Sequence, residues 1–396
     1  MPHGTESDRN TLIELSHTYG RDPRWVIAGG GNTSVKTDDC LTIKASGTFL
    51  ATLGEDGLVD LNRKSLQALF EKTYPESEAE REREALADLM DARNPGQGDR
   101  RPSVETLMHE VLPQKFVVHT HPTLVNGLSC AVDGERVARE LFGSELVWVP
   151  VVKPGYILGI EIRARVAAYT ETHGTPPWLL ILANHGLVVA GETEPDILER
   201  QEQVLSTIRT RLGTSEERVR NPDDMSDRIV RNSSQARRVA DWTTMVQRAV
   251  EGAEIPSPVV VFKTDDNFLR YGDTADRLNE ALRLPFTPDH LVYALRRPVI
   301  ARQTASDHLP TMVGSFRAEF GKSPRVVVVP GLGAFGVSGS TSVSEAAAAL
   351  TLDALLIHSH TQKVGGASFM PDDQIAFIEG WEVERFRLKA SEGRRS

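Results

Sequence analysis

An apolar run, Phe116-Val117-Val118, passes directly into His119-Thr120-His121-Pro122. Such a run reads as a buried strand, and on a strand residues i and i+2 share a face. The two imidazoles therefore leave the backbone side by side, about 6 to 7 Å apart. That separation suits two ligands on one divalent metal, with metal–nitrogen bonds of about 2.0–2.1 Å. The plain alternative is one buried and one solvated histidine at a strand end. Pro122 carries no N–H, so it stops the ladder and can open a helix.

Three other stretches bear on this choice. Gly29-Gly30-Gly31-Asn32-Thr33-Ser34 follows a predicted strand, Trp25–Ala28. Its glycines allow a backbone to approach an anion with N–H groups turned inward, although a Gly-rich hairpin turn fits as well. No Gly-Lys-Ser/Thr follows, so it is not a Walker loop. Two predicted strands around Thr37–Asp39 then deliver a second loop of small residues, Ala45-Ser46-Gly47-Thr48, which Lys44 enters. Pro102-Ser103-Val104-Glu105 opens a predicted helix running through Leu112, with Ser103 as its N-cap. Glu105 in its first turn has at least the plain role of answering the helix dipole. His109, four residues on, shares its face. Trp178–Leu182 is a fully apolar predicted strand that ends at Ala183-Asn184-His185-Gly186.

Taken together and in this order, these motifs resemble the class II aldolase/adducin family, which includes fuculose- and rhamnulose-phosphate aldolases and ribulose-phosphate 4-epimerases. The resemblance covers roughly Thr11 to Leu212. It implies that His119, His121 and His185 hold a divalent metal, zinc being the expected ion. It also implies that Glu105 binds this metal at rest and acts as general acid/base once substrate chelates it. Asn32, Ser46, Gly47 and Ser103 are implied to hold the substrate phosphate. Fuculose-type enzymes carry Ser-Ser-Glu where this chain has Val104, so one phosphate-binding hydroxyl is missing. Family aldolases place a proton-donating tyrosine near the end of the strand that here is Leu146–Val151. Val151 and Val152 occupy that position, which leaves Tyr156, with Lys153, as candidate donor. The expected activity is retro-aldol cleavage of a phosphorylated ketose or related sugar acid. Epimerisation or decarboxylation on the same site are the alternatives. An adducin-like scaffold would be marked by loss of the histidines, and all three are present.

The chain has 396 residues, enough for two cores. Its net charge of −10 argues against nucleic-acid or anionic-membrane partners, and no apolar run approaches the ~20 residues of a membrane span. Cys40 and Cys130 are its only cysteines, so a disulfide framework is not expected. Together with a polar N-terminus lacking an apolar signal segment, this points to the cytoplasm. The expected partners are a small-molecule sugar phosphate and, through the family resemblance, further copies of the chain in a homo-oligomer.

The second half shows a pattern like the first. Arg325–Gly339 followed by a helix over Ser342–Ile357 repeats the order of Trp178–Gly191 and its helix: apolar strand, Gly-Leu turn, short strand, helix. Upstream, Phe286–Leu295 parallels Phe116–Leu128, with Asp289-His290 near the position of His-x-His, and Val259–Phe262 reads as an earlier strand. The second half has no counterpart of the Gly-Asn-x-Ser, Ser-x-Glu or Asn-His-Gly motifs. His308, His358 and His360 remain, with a structural or lid role expected. The fold class expected is therefore α/β: a three-layer, class II aldolase-like domain with a central, mostly antiparallel sheet over residues 1–215, a linker over 216–235, and a degenerate copy of the same fold over 236–396. Similar C-terminal segments stand beside the aldolase domain in longer, fused rhamnulose-phosphate aldolase-like proteins.

Overall fold

The computed structural model describes residues 6–214, 226, 233–301, 308–383 and 386. The chain divides into two units, Met1–Ser129 with Asp133–Arg211, and Cys130–Val132 with Leu212–Ser396. Most of the predicted linker lies outside the described residues. Cys130–Val132 joins the second unit because its backbone is bonded there: Val132 N–H donates to Gly366 at 3.0 Å and Ser368 N–H donates to Cys130 at 2.8 Å. Both cysteines are buried, and they are not joined in a disulfide. Among the described residues no helix is long and apolar enough to cross a membrane.

The first unit is built on a seven-stranded sheet of order β3-β2-β1-β4-β7-β6-β5. In chain order the strands are β1 (Asn32–Lys36), β2 (Cys40–Lys44), β3 (Leu58–Asn62), β4 (Phe116–Thr120), β5 (Leu146–Val149), β6 (Leu179–Leu182) and β7 (Gly186–Gly191). Only β5 and β6 run parallel; the remaining neighbours are antiparallel. Two contacts from β1 show that both faces are covered. Thr33 Oγ1 meets Ser16 Oγ of helix Glu6–Gly20 at 2.6 Å, while Ser34 Oγ meets His109 of helix Thr106–Val111 at 2.7 Å. Successive strand residues point to opposite faces, so the two helices lie on opposite sides of the sheet. Leu179, Leu180, Ile181 and Leu182 are accordingly all buried, the continuous apolar pattern of a strand covered twice.

Two local expectations are corrected. Trp25–Ala28 is not a strand: Val26 N–H turns back to Asp22 at 3.3 Å and Ala28 takes a φ of 55°. The Trp25 carbonyl instead accepts from His121 N–H at 2.9 Å. The stretch Leu61–Glu71 reads in sequence as one helix, but the helix begins at Arg63. Leu58, Val59 and Leu61 pair with β2 as a strand, and the Asn62 side chain, accepting from Ser65 N–H at 2.9 Å, caps the helix that follows.

The second unit holds a four-stranded sheet of order β8-β11-β10-β9, formed by β8 (Val259–Lys263), β9 (Val299–Ile300), β10 (Val326–Val329) and β11 (Gly333–Ser338). Its order and senses are those of β4-β7-β6-β5: two antiparallel steps, then a parallel one. The turns agree too. Leu182 pairs with Gly186 and Val329 with Gly333. Asn184 and Gly331 both take a left-handed φ, 52° and 67°. The strand facing β11 is β8, not the Phe286 stretch; Pro288–Ala294 is a helix. His119 faces Val188 in β7, whereas Phe262 faces Phe335 in β11.

Candidate metal centre

Sheet register delivers the site. β1 lies against β4 with Asn32 opposite His119, and β7 lies on the other side of β4 with Val188 opposite His119. β6 and β7 are joined through Ala183-Asn184-His185, and the His185 N–H closes this turn on Leu182 at 3.2 Å. The three strand ends bring His119, His121 and His185 together, with one ligand nitrogen from each within 4.8 Å of the others.

Two glycines permit this approach. A Cβ on Gly31 would lie 2.7 Å from the His119 carbonyl oxygen, and Gly31 has a φ of 68°. A Cβ on Gly186 would meet the Thr120 carbonyl at 2.5 Å. The Asn-His-Gly turn therefore contributes both a ligand and the space around the other two.

The protonation pattern suits a cation. His119 Nδ1 donates to the Leu187 carbonyl at 2.9 Å, which leaves Nε2 as a bare acceptor. Burial pushes the His119 pKa down to about 3, so the ring is neutral. Nε2 of His121 lies 3.0 Å from Nε2 of His119. An imidazole nitrogen that close to a bare acceptor requires a shared proton or a shared cation, and the span fits two metal–nitrogen bonds of about 2.0–2.1 Å. The donor set thus fits a divalent metal with open positions.

Glu105 stands at the same place. Its Oε1 lies 3.0 Å from His185 Nε2 and its Oε2 3.7 Å from His119 Nε2. Burial works against its charge, but the bond from His185 Nε2 helps hold the carboxyl well below the usual range. The Asn32 amide donates to Glu105 Oε2 at 2.5 Å and to Ser103 Oγ at 3.2 Å. The helix begins at Thr106, with Glu105 at its boundary; Ser103 instead turns its Oγ back to accept Glu105 N–H at 3.2 Å.

The Ser46–Gly47 loop joins this region through Ser46 N–H, which donates to the Arg101 carbonyl at 2.7 Å, and an Ala45–Pro102 bridge. Lys44 Nζ holds the Thr48 carbonyl at 2.8 Å and so shapes that loop. Within one chain the structure does not bring Tyr156 to the cluster. Its ring packs on Tyr74 at 4.5 Å, its N–H donates to Glu82 at 3.1 Å, and Lys153 pairs with Glu78. His109, whose position in the sequence left open whether it packs or serves the site, is fully buried and bonded to both Ser34 and Asn32. The i,i+4 spacing from Glu105 was its one legible signal.

In the second unit His290 and Asp353 form a buried pair at 3.2 Å, and Thr287 Oγ1 meets His290 Nδ1 at 2.7 Å. His358 and His360 are buried on helix Thr341–Thr361, which makes them core rather than lid residues.

The chain is 25% identical over 425 residues to an uncharacterized oxidoreductase, YuxG, of Bacillus subtilis (strain 168), covering 98% of this chain and 58% of that relative. It thus spans less than two thirds of the curated relative's length. Among solved structures, the N-terminal class II aldolase domain of a Thermoplasma acidophilum protein is similar at 25% identity and a TM-score of 0.44, over 53% of this chain and 96% of that one. An L-fuculose-1-phosphate aldolase from Thermus thermophilus is similar at 16% identity and a TM-score of 0.35, over 54% and 98%. The family model for the class II aldolase and adducin N-terminal domain matches residues 10–212. That span takes in Asn32, Glu105 and all three clustered histidines, and the chain belongs to this family.

Proposed function

We propose that the chain is a metal-dependent, aldolase-type lyase that cleaves a phosphorylated ketose, or a related sugar acid, by a retro-aldol reaction. The observation that supports this most directly is the carboxylate of Glu105, 3.0 Å from His185 at the edge of a three-histidine cluster. A divalent cation, with zinc expected, supplies Lewis-acid polarisation of the substrate carbonyl when bound. His119, His121 and His185 hold it through one ring nitrogen each. In the cleavage the bond between the carbons α and β to the carbonyl breaks. The proton lost from the β-hydroxyl must reappear on the α-carbon, and Glu105 is the group placed to carry it. The Ser46–Gly47 loop and Ser103 border the same region and offer neutral donors to a phosphate, with Asn32 between them and Glu105.

Epimerisation, or decarboxylation of a sugar-acid phosphate, is the second reading. It is favoured by the turning of Tyr156 toward Tyr74, away from Glu105. Incubating the zinc-loaded protein with ketose phosphates and separating the products tests the choice. A short aldehyde or ketone fragment supports cleavage. Interconversion of epimers without a trappable fragment, or release of carbon dioxide from a sugar acid, moves the assignment. An intact protein that takes up no metal overturns both in favour of a scaffold.

A further inference from the structure

A line of buried side chains leads away from Glu105 between β1 and helix Thr106–Val111. Asn32 and Ser34 lie two residues apart on β1 and so share the face that meets this helix. Asn32 Nδ2 donates to Glu105 Oε2 at 2.5 Å. The other end of that amide, Oδ1, faces His109 Nε2, and His109 Nδ1 faces Ser34 Oγ at 2.7 Å. Ser34 and His109 are fully buried, and Asn32 is 4% exposed.

The direction of each bond in this line is determined. A carboxylate only accepts, so Asn32 must turn its NH2 toward Glu105. Its Oδ1 then faces His109 and accepts, which requires the proton on Nε2. A neutral imidazole with Nε2–H has a bare Nδ1, which accepts the Ser34 hydroxyl proton. Burial foremost, then the neighbouring Lys36, keeps His109 well below the usual histidine range and therefore neutral. An asparagine amide turned by 180° occupies the same volume with oxygen and nitrogen exchanged. Here that turn would set Oδ1 against Glu105 and NH2 against an N–H donor, two repulsive contacts in a site closed to water. With Nε2 protonated, His109 favours the same orientation of the amide that the carboxylate requires.

We propose that His109, held through Nδ1 by Ser34 and through Nε2 by the Asn32 oxygen, is a positioning residue that steadies the Asn32 amide and, through it, the carboxylate of Glu105 at the histidine cluster. This rests on the reading of Glu105 as the proton carrier, but its geometry is testable without turnover.

The test uses the full chain with three substitutions: His109→Met, which removes both nitrogens; His109→Gln, which restores a donor toward Asn32; and Ser34→Ala, a small change at a packed site that takes away the hydroxyl holding Nδ1. Structures of the metal-free variants and titration with Co²⁺, read from its visible absorption, are the readouts. In His109→Met the Glu105 carboxylate should leave Asn32 and cobalt affinity should fall roughly tenfold, as for other outer partners of a metal site. His109→Gln should restore both. Ser34→Ala should give a smaller loss and also covers the case in which His109→Met does not fold. For turnover, kcat should fall with KM little changed. A His109→Met or Ser34→Ala structure in which Glu105 keeps its place, with wild-type cobalt affinity, overturns the inference. If the wild type binds cobalt yet turns over no sugar phosphate, the cleavage reading fails, and the metal-free structures still decide the inference.

Discussion

Gly186 lies so close to His121 that a Cβ at this position would stand 2.8 Å from the ring carbon Cδ2, as well as 2.5 Å from the Thr120 carbonyl. The turn carrying one ligand is thus packed against the strand carrying the other two. Gly186→Ala should displace His121 and push β7 away from β4 at a cost of about 1–3 kcal/mol in stability, the usual scale of overpacking. Urea unfolding should show a lower midpoint, and zinc titration weaker binding. A variant that binds zinc as the wild type does would show that the strand ends yield more easily than their backbone contact suggests.

Metal stoichiometry follows from the same geometry. The intact protein should hold about one divalent ion per chain. His121→Ala should lose it while remaining folded, because His121 is only half-buried, whereas His119 has no exposure. Elemental analysis after gel filtration decides this. Two ions per chain would place a second site outside the cluster.

Glu105→Gln keeps the shape of the side chain but cannot carry a proton. It should fold and lose roughly two to four orders of magnitude in turnover. Steady-state kinetics and circular dichroism make the comparison. A small loss would assign proton transfer to another group.

The metal-free protein should weaken as the medium is acidified. Burial is the leading cause in each case that pushes His119 down to about 3, His360 to about 4 and His109 well below its ordinary value. In the unfolded chain these imidazoles titrate near 6.5. Between that pH and the native values the unfolded chain binds protons that the native one does not. Stability is therefore full above about pH 6.5 and falls as the pH drops, by up to about 1.4 kcal/mol per pH unit for each such ring. Glu105, held low in the native state, adds a further loss once the pH passes below the ordinary carboxylate range. Urea midpoints of the apoprotein between pH 7 and pH 5 should decline, and a flat profile would mean that these rings are not buried in neutral form.

The site was more legible in the sequence than its support. His119 and His121 could be found because strand periodicity puts i and i+2 on one face, and His185 because an apolar strand runs into Asn-His-Gly. The strand β3 was hidden because Leu58–Asn62 runs into the helix Arg63–Leu69 with no glycine or proline between them. The Trp25–Ala28 segment looked like a strand because its residues are apolar, yet its bonds go to Asp22 and to His121. Ser34 and His109 were readable only once tertiary pairing set β1 beside the helix after Glu105. In the second unit the repeat of strand, turn and strand was visible in sequence. β8 was readable as a strand at Val259–Phe262, but its correspondence to β4 was not, because Phe262 takes the place on the strand that carries a histidine in β4.

The ligands reach the cluster by routes of very different length along the chain. β6 and β7 form a local hairpin that presents His185 as soon as its short turn closes. His119 joins only when β4 pairs with β7, and its bond to the Leu187 carbonyl spans 68 positions. Closing so long a loop is the entropically slower event, and a slip of one residue there would turn His119 and His121 to the opposite face of the sheet. A complete ligand set therefore exists only in chains that have found the native β4–β7 register, so metal uptake would report that this register has formed.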